Sequence, residues 1–329
     1  MSAITHDPSR RHWAGATRAL RRELAAELDR EHLRALHRKQ PWKHFVVAVR
    51  QLALLGLCTW GLWKLSNPLL WIPLALLQGL TFFNGTILLH EVLHHLVWPG
   101  QRDAAERRLG LVYAILTGIS PTQFTRWHLD HHAGLGNPEQ DPKRHHLSPK
   151  RNSRLLKVLY FTPALFPIYF AAARRETAGY PEPLRRRIGR ERRAAIAFHL
   201  LLAGLLYVLG GPAVLLRVHI IPLLLGFPVW FAINRVGQHY RIDPDDPAEW
   251  GTLVKGSLVW DHLFLWSNYH LEHHYFPGVP FYNLPRLHRL LRPFYRRRGM
   301  RAMGYGELLW GWLILNRPPH TDWETAAAE

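Results

Sequence analysis

Histidines occur in three clusters whose spacing suits metal binding. The clusters read HEVLHH over residues 90–95, HLDHH over 128–132 and HLEHH over 270–274. Each places imidazoles at positions i and i+4, and the last two add i+3, so on a helix they project from one face about one turn apart. Neutral imidazole is a good ligand for iron and similar first-row metals. The spacing therefore predicts three ligand-bearing helical faces, and the lone His239 could add another ligand.

An ordinary structural role explains single histidines better than it explains these clusters. A lone histidine such as His219 or His288 is usually just a polar residue, and one HxxHH segment could be a solvated helix face. Three clusters in one chain are hard to explain in that way. The single cysteine, Cys58, lies inside an apolar stretch, which excludes a disulfide framework and a thiolate metal site. Any metal must therefore be held by histidines and carboxylates.

A carboxylate lies inside each cluster. Glu91, Asp130 and Glu272 are natural acceptors for the outer ring N–H groups of metal-binding histidines, although they could equally be solvated surface residues. The first cluster also fits the HExxH pattern of zinc proteases, with two ligands and a glutamate base. An intramembrane zinc hydrolase is therefore a rival hypothesis, but it needs only one further ligand and leaves both HxxHH clusters without a role.

Four apolar stretches are long enough to cross about 30 Å of hydrocarbon. They cover roughly residues 44–63, 68–89, 194–209 and 213–233 and form two hairpins with short, nearly uncharged links. The other connections carry almost all the arginines, so the positive-inside rule puts both termini in the cytosol. Arg50 and Arg217 lie within the stretches and make their boundaries less regular.

The remaining apolar stretches are not expected to cross. Residues 109–119 are too short, and residues 155–173 contain Pro163 and Pro167. A crossing there would put the histidine clusters on opposite sides of the membrane, so a shared metal site requires this segment to lie in the interface or re-enter. The predicted fold is an all-α integral membrane protein with four transmembrane helices in two hairpins and a cytosolic helical cap that carries the histidine clusters.

Three regions are expected along the 329 residues: an N-terminal arm over 1–40, a membrane domain over 41–295 and a cytosolic C-terminal tail over 296–329. Leucines at helical spacing in the arm predict an amphipathic helix on the membrane surface or, alternatively, a docking surface for a partner. These leucines are Leu20, Leu24, Leu28 and Leu36. The polar, Arg-rich start of the chain does not have the pattern of a signal peptide.

The formal net charge of +18 could suggest a nucleic-acid partner. The arginines instead flank the apolar stretches, which is typical of cytoplasmic loops that face anionic lipid. We therefore expect a membrane partner and no nucleic acid.

The arrangement of clusters resembles the membrane fatty acid desaturase superfamily, whose members carry HxxxH, HxxHH and HxxHH boxes in this order around two membrane hairpins. The similarity extends beyond the boxes to NYHLEHHYFP over residues 268–277 and VPFYNLP over 279–285. It covers roughly residues 42–295 and leaves the arm and the tail outside. A match of this length is specific.

The resemblance implies a di-iron centre with two Fe ions and O2 as co-substrate. Some family members carry an asparagine ligand four residues before the lone histidine. Arg235 occupies that place here and cannot serve, and Asn234 is out of register. An all-histidine ligand set is therefore expected, with His95 as a supporting or spare residue. The implied ligands are His90, His94, His128, His131, His132, His239, His270, His273 and His274.

The activity implied by the resemblance is desaturation of a fatty acyl chain. The alternative is a hydroxylase or ketolase that acts on a carotenoid or other lipid, and box spacing does not separate the two. Aromatic residues between the hairpins could guide the chain. The candidates are Trp71, Phe82, Phe83, Trp230 and Phe231.

Each turnover requires two external electrons, and the sequence has neither a dinucleotide fingerprint nor a fused haem module. A ferredoxin, rubredoxin or cytochrome b5-like donor is therefore expected. The expected location is a bacterial inner membrane, or an ER-type membrane if the source is eukaryotic, with the boxes in the cytosol.

Overall fold

The computed structural model describes residues 12–100, 102–147 and 151–318, so residues 1–11 of the predicted arm and 319–329 of the predicted tail lie outside the described residues. The described chain is helical and contains no β-strand. Short π-helical turns occur at Lys143–Leu147, Leu216–Ile220, Pro222–Gly226 and Trp310–Ile314, and 3-10 turns at Pro247–Glu249 and Phe281–Asn283. The α-helices are α1 (His12–Ala16), α2 (Arg18–Glu27), α3 (Arg30–Leu36), α4 (Pro41–Lys64), α5 (Pro68–Leu93), α6 (Asp103–Thr117), α7 (Pro121–Gly134), α8 (Arg154–Leu159), α9 (Leu165–Ala178), α10 (Glu182–Leu215), α11 (Phe227–Val236), α12 (Leu258–Leu263), α13 (His270–Tyr275), α14 (Leu284–Leu290), α15 (Arg292–Arg297) and α16 (Tyr305–Leu309).

Three helical segments in the described residues are long and apolar enough to cross a membrane: Pro41–Lys64, Pro68–Leu93 and Glu182–Val236. The outer faces of α4 and α10 expose large apolar side chains, among them Trp60 and Leu201. Soluble proteins rarely expose contiguous apolar patches of this kind. The all-α prediction is confirmed, and the apolar segments indicate association with a membrane. The third and fourth predicted spans both lie in the third segment, on either side of a kink at Gly211.

That long segment is broken at the predicted link 210–212. Gly211 has φ 74° and ψ −176°, a backbone conformation that essentially only glycine adopts, and Pro212 follows it directly. The segment is 55 residues long. As one straight helix it would extend about 80 Å, far more than the roughly 30 Å of hydrocarbon in a bilayer. One straight crossing therefore cannot contain it.

The two arginines inside the apolar segments are stabilised by backbone carbonyl groups. Arg217 donates to the carbonyl oxygen of Leu65, in the link that follows α4, and to that of Ala213 at 3.2 Å. Arg50 donates to the carbonyl oxygen of His262 at 3.1 Å. Since a carbonyl oxygen partly replaces the water that each guanidinium loses, these positions are compatible with apolar surroundings.

Helix α5 is the most buried of the apolar helices, and two glycines allow its backbone to contact a neighbouring turn. A Cβ atom at Gly79 would lie 2.5 Å from the backbone of Gly226, and one at Gly226 would lie 3.0 Å from Gly79 Cα. Small residues permit such close approach between membrane helices. The contact joins α5, which carries the first histidine cluster, to the π-helical turn before α11.

We expect Gly79→Ala to destabilise the protein by about 1–3 kcal/mol, the usual cost of overpacking a tight contact. Thermal unfolding in detergent measures the effect. Gly56→Ala in α4 is the matched control, because a Cβ there meets nothing within 4 Å. An equal loss of stability in both variants would contradict the importance of the Gly79–Gly226 contact.

The N-terminal arm packs against the rest of the protein. Its four predicted leucines are all buried in the main hydrophobic core, which differs from the expected location on the membrane surface or against a partner. The physical reason is that the apolar face of the arm packs against the surface formed by the third cluster and the helices that follow it. Glu23 pairs with Arg298 at 2.7 Å, and Asn283 donates to the carbonyl oxygen of Leu36 at 2.7 Å.

The first part of the predicted tail also belongs to the folded body. Tyr305, Leu308 and Trp312 are buried in the same core as the arm. Lys157 Nζ donates to the carbonyl oxygen of Arg317 at 2.9 Å and lies 4.6 Å from the Trp312 ring centroid. The described residues up to 318 therefore pack together as one folded body.

The two apolar stretches that were difficult to place form shorter helices. Residues 109–119 lie mostly in α6, and residues 155–173 are divided between α8, which ends at Leu159, and α9, which begins at Leu165. Neither is among the three segments able to cross a membrane.

Candidate metal centre

Three helix faces and one loop residue bring the predicted ligands together. The first cluster ends α5, the second lies on α7, the third is on α13, and His239 follows α11. Helix α7 begins at Pro121, with Ser120 as a cap that accepts the N–H of Gln123. Glu191 on α10 accepts hydrogen bonds from Ser120 and from the backbone and hydroxyl of Thr122. The second cluster is thereby fixed against α10.

All nine predicted ligands lie in two adjoining groups, and within each group the potential ligand atoms lie within 4.8 Å of one another. The first group contains five histidines and the second contains four. The first is His90, His94, His128, His132 and His273, and the second is His131, His239, His270 and His274.

The arrangement of ring nitrogens fits metal ions better than hydrogen bonds between the rings. His128 Nε2 lies 3.0, 2.9 and 2.8 Å from the Nε2 atoms of His90, His94 and His132. In the second group, His239 Nε2 lies 3.1 Å from His131 Nε2 and 3.0 Å from His270 Nε2. One ring nitrogen donates or accepts a single hydrogen bond, so His128 cannot satisfy three neighbours. Lone pairs directed at shared cations remove this conflict.

Burial keeps these imidazoles neutral, which is the state that binds metal. It lowers the pKa of His131 to about 4, although the neighbouring Asp141 acts in the opposite direction. Burial also lowers the pKa of His239 and His274 well below the ordinary value, and the other histidines of the centre lower it further. The residues present therefore fit a pair of first-row metal ions.

Three groups outside the rings orient the ligands. Asp141 Oδ1 accepts from His131 Nδ1 at 2.8 Å, and the Trp250 carbonyl oxygen accepts from His239 Nδ1 at 2.9 Å. Lys143 Nζ lies 3.1 Å from the Nδ1 atom of His128. Such partners fix which ring nitrogen faces the metal.

Asp141 was missed in the sequence. Burial alone would raise the pKa of Asp141, but the contact with His131, whose ring N–H donates to the carboxylate, outweighs burial and holds that pKa well below its usual range. The sequence feature that could have indicated Asp141 is the turn between α7 and Asp141. In this turn the Asn137 side chain accepts the N–H of Gln140 at 3.0 Å. The turn directs the chain back along α7, so an acid after it can reach the second cluster.

Two of the predicted supporting carboxylates have partners outside the ligand set. Glu91 is buried and accepts the backbone N–H of Phe281 at 3.0 Å, while its other oxygen lies 3.8 Å from His90 Nδ1. Asp130 pairs with Arg126 at 2.8 Å, one turn earlier on α7.

The other two predicted supporting residues connect helices. Glu272 is fully buried, lies 2.6 Å from His288 Nδ1 and accepts the Tyr295 hydroxyl at 2.8 Å, which ties α13 to α14 and α15. His288, expected to be an ordinary polar residue, is thus part of the support for the third cluster. His95 belongs to neither of the two histidine groups. Its Nδ1 atom lies 2.5 Å from Glu106 Oε2, which connects the end of α5 to α6.

Asn234 and Arg235 are engaged with other side chains. Asn234 Nδ2 donates to the Ser267 hydroxyl at 2.7 Å, and Asn234 Oδ1 accepts from Gln238 at 2.7 Å. Arg235 Nη1 donates to Gln238 Oε1 at 2.9 Å. These contacts support a ligand set of histidines alone.

A cavity opens beside the histidines. Its wall includes His90, His128, His270 and His273, and of the predicted aromatic guides it includes Phe83 and Phe231. Among the other guides, Trp230 donates to the carbonyl oxygen of Leu76, Trp71 packs in a separate apolar cluster, and Phe82 contacts His219. The apolar part of the wall is largely aromatic, and the polar residues that line the cavity include Glu91, Lys143, Arg235 and Gln238.

Helix α1 covers the second histidine group. The Trp13 ring centroid lies 6.2 Å from that of His274 and 5.6 Å from that of Trp250. The arm therefore helps to exclude water from a centre that the sequence assigned to the membrane domain alone.

We expect Gly136→Ala to disturb this centre, because Gly136 has φ 87° and a Cβ there would overlap the Trp250 indole ring. Displacing Trp250 moves the carbonyl oxygen that orients His239. The expected cost is about 1–3 kcal/mol of stability with reduced metal content, measured by thermal unfolding and elemental analysis. Gly100→Ala is the control for positive φ alone, since Gly100 has φ 77° and a Cβ there meets nothing within 4 Å. Equal metal content in both variants would count against a role for Trp250.

Comparisons with known proteins agree with this site. The fatty acid desaturase family matches residues 66–306, a range that contains all three histidine clusters. Three chloroplastic omega-3 fatty acid desaturases are similar at 27% identity over 288 residues in Glycine max, 25% over 285 in Brassica napus and 27% over 284 in Sesamum indicum. The alignments cover 75–78% of this chain and 60–69% of those relatives, so the chain spans under two thirds of the Glycine max and Sesamum indicum proteins. The family match covers most of the chain and includes every histidine of the two groups, so the chain belongs to the fatty acid desaturase family.

Proposed function

We propose that this protein is an O2-dependent membrane di-iron desaturase that introduces a double bond into a fatty acyl chain. The observation that carries the proposal is the pair of neutral histidine groups beside a largely apolar cavity. Two iron ions held there would supply the O2 chemistry needed to remove hydrogen from an unactivated C–H bond.

The ligands would be the nine histidines, divided five and four. The groups are close neighbours, since the ring centroids of His132 and His274, one from each group, are 4.3 Å apart. Asp141 and the Trp250 carbonyl would hold their histidines with Nε2 facing the ion. Each of the nine histidines comes from a cluster or a position that the family resemblance implied.

The cavity would bind the acyl chain and hold one carbon near the centre. Phe83 packs edge-to-face against Phe231 and Phe264, with centroids 6.3 and 6.1 Å away, which makes this part of the wall rigid. A rigid apolar wall positions a chain that has no polar handle and excludes water from the reacting carbon.

The proposed topology has four spans, with the segment Glu182–Val236 reversing direction at Gly211. Support comes from the length of that segment and from the hydrogen bond between Arg217 and the link after α4. The histidine clusters and both termini would lie on the cytosolic side of a bacterial inner membrane, or of an ER-type membrane, with residues 41–295 as the catalytic unit.

Electrons would come from a separate ferredoxin, rubredoxin or cytochrome b5-like protein. Such donors are often acidic, and the net charge of +18 favours their approach to the Arg-rich face.

A hydroxylase or ketolase that acts on a carotenoid or other lipid is the second candidate. The observation in its favour is the polar side of the cavity, where Lys143 and Arg235 lie near the ligands. The zinc hydrolase is disfavoured for two reasons. It would need only His90, His94 and one further ligand, which leaves most of the nine histidines without a role. Glu91, which would be its general base, accepts a hydrogen bond from the N–H of Phe281.

The test is product analysis with purified protein in lipid vesicles, supplied with O2, a reduced donor protein and isotopically labelled acyl lipids or isoprenoids. Mass spectrometry is expected to find a new double bond in the acyl chains. An oxygenated lipid with unchanged acyl chains would favour the second candidate. Turnover that continues without O2 and donor would return the zinc hydrolase to consideration.

A further inference from the structure

We propose that His95, Asp103 and Glu106 form an additional site for a divalent ion of the Zn²⁺ class at the junction of α5 and α6. One imidazole nitrogen and one oxygen of each carboxylate lie within 4.8 Å of one another. None of the three belongs to the nine-histidine centre, and the proposal does not rest on the proposed desaturase activity.

The first observation is the burial of Glu106. The residue is 3% exposed, and one of its carboxylate oxygens, Oε1, is buried and has no hydrogen-bond partner among the described residues. The other oxygen, Oε2, contacts His95 Nδ1 at 2.5 Å. A buried carboxylate oxygen without a partner is costly, and a bound cation removes that cost.

The second observation is the backbone of His95. The residue has φ 57°, and the end of α5 has the backbone hydrogen bonds of a glycine-type helix terminus. The N–H of Leu96 donates to the carbonyl oxygen of Glu91 at 2.9 Å, and the N–H of His95 donates to that of Val92 at 3.0 Å. Glycine adopts this conformation without strain and is the common residue there. A histidine at this position is therefore better explained by its side chain, which reaches Glu106.

The third observation is the accessibility of the site. Asp103 is the first residue of α6 and is accessible to solvent, and the His95 side chain is 53% exposed. An ion can therefore enter from solvent and meet the buried oxygen of Glu106. Stabilisation of the α6 terminus explains acidic residues in its first turn, but it explains neither the burial of Glu106 nor the conformation of His95.

The ligand chemistry indicates the class of ion. One imidazole and two carboxylates suit Zn²⁺, which takes three protein ligands and completes its coordination with water. Mg²⁺ and Ca²⁺ prefer oxygen ligands alone. A bound ion would fix the end of α5, the helix that carries His90 and His94, to α6.

Zinc binding to the iron-loaded, full-length protein in detergent tests the proposal. Equilibrium dialysis against ⁶⁵Zn²⁺ measures affinity, and elemental analysis counts zinc and iron. The variants are Asp103→Asn, which changes an exposed side chain, and His95→Gly, which removes the imidazole and keeps the helix-end geometry. Glu182→Gln is the matched control, because Glu182 is also an exposed carboxylate on the first residue of a helix.

We expect one zinc ion per chain in the wild type and in Glu182→Gln. Loss of a group that only orients a ligand weakens metal binding by about tenfold or more, and loss of a direct ligand should weaken it at least as much. We therefore expect both site variants to bind zinc at least about tenfold more weakly, with unchanged iron content. Wild-type affinity in Asp103→Asn or His95→Gly would overturn the proposal. Absence of zinc from the wild type would also overturn the proposal. A parallel loss of iron in Asp103→Asn would do the same, because the zinc would then be bound at the nine-histidine centre.

Discussion

His131→Ala and His273→Ala are each expected to reduce turnover by at least about a hundredfold, because each removes a proposed direct ligand and loss of an outer partner alone costs up to that amount. His273 belongs to the five-histidine group and His131 to the four-histidine group, so the two variants test the two halves of the centre separately. Iron content should fall in both, by elemental analysis. Mössbauer spectroscopy of the wild type should show two coupled irons per chain.

Both variants should still fold and insert, because the changed residues lie outside the candidate spans. His262→Ala is the matched control, since His262 is exposed, belongs to neither histidine group, and interacts with the carbonyl oxygen of Leu258 and the Trp266 ring. It should retain wild-type iron and turnover. Full iron and turnover in His131→Ala or His273→Ala would show that the ligand assignment is wrong.

Asp141→Ala is expected to weaken iron binding by about 10–100-fold, the usual effect of removing a partner that orients a metal-binding histidine. The carboxylate accepts from His131 Nδ1 at 2.8 Å and thereby directs the other ring nitrogen to the centre. Asp141→Asn retains an acceptor but loses the charge, so it should lie between the wild type and Asp141→Ala. Competition with a chelator of known affinity measures the difference.

The matched control for this prediction is Glu139→Gln, an exposed carboxylate in the same loop. It should leave iron affinity unchanged if the effect belongs to the contact with His131 rather than to the charge of the loop. Equal weakening by Glu139→Gln and Asp141→Asn would indicate a general electrostatic effect and would remove the orienting role of Asp141.

The sequence by itself determined the features that depend on local spacing. Imidazoles at i, i+3 and i+4 share a helix face whatever surrounds them, so the three clusters could be recognised as ligand-bearing before any packing was known. The long apolar stretches likewise indicated membrane helices, because they are long enough to cross the hydrocarbon of a bilayer. The break at 210–212 could also be predicted from the sequence, since Gly-Gly-Pro interrupts a helix locally.

Only the tertiary structure decided how the ligands are shared. His128, His131 and His132 lie within one turn of α7, yet His131 joins the second group, because His239 and α13 approach that side of the helix. Asp141 and His288 support the ligands through contacts between segments that no local pattern encodes. The arm is similar: an amphipathic helix requires an apolar surface, and whether that surface is lipid or protein depends on what the rest of the chain presents to it. Here the apolar surface that the arm covers belongs to the protein. The arm, which was expected on the membrane, therefore covers the second histidine group.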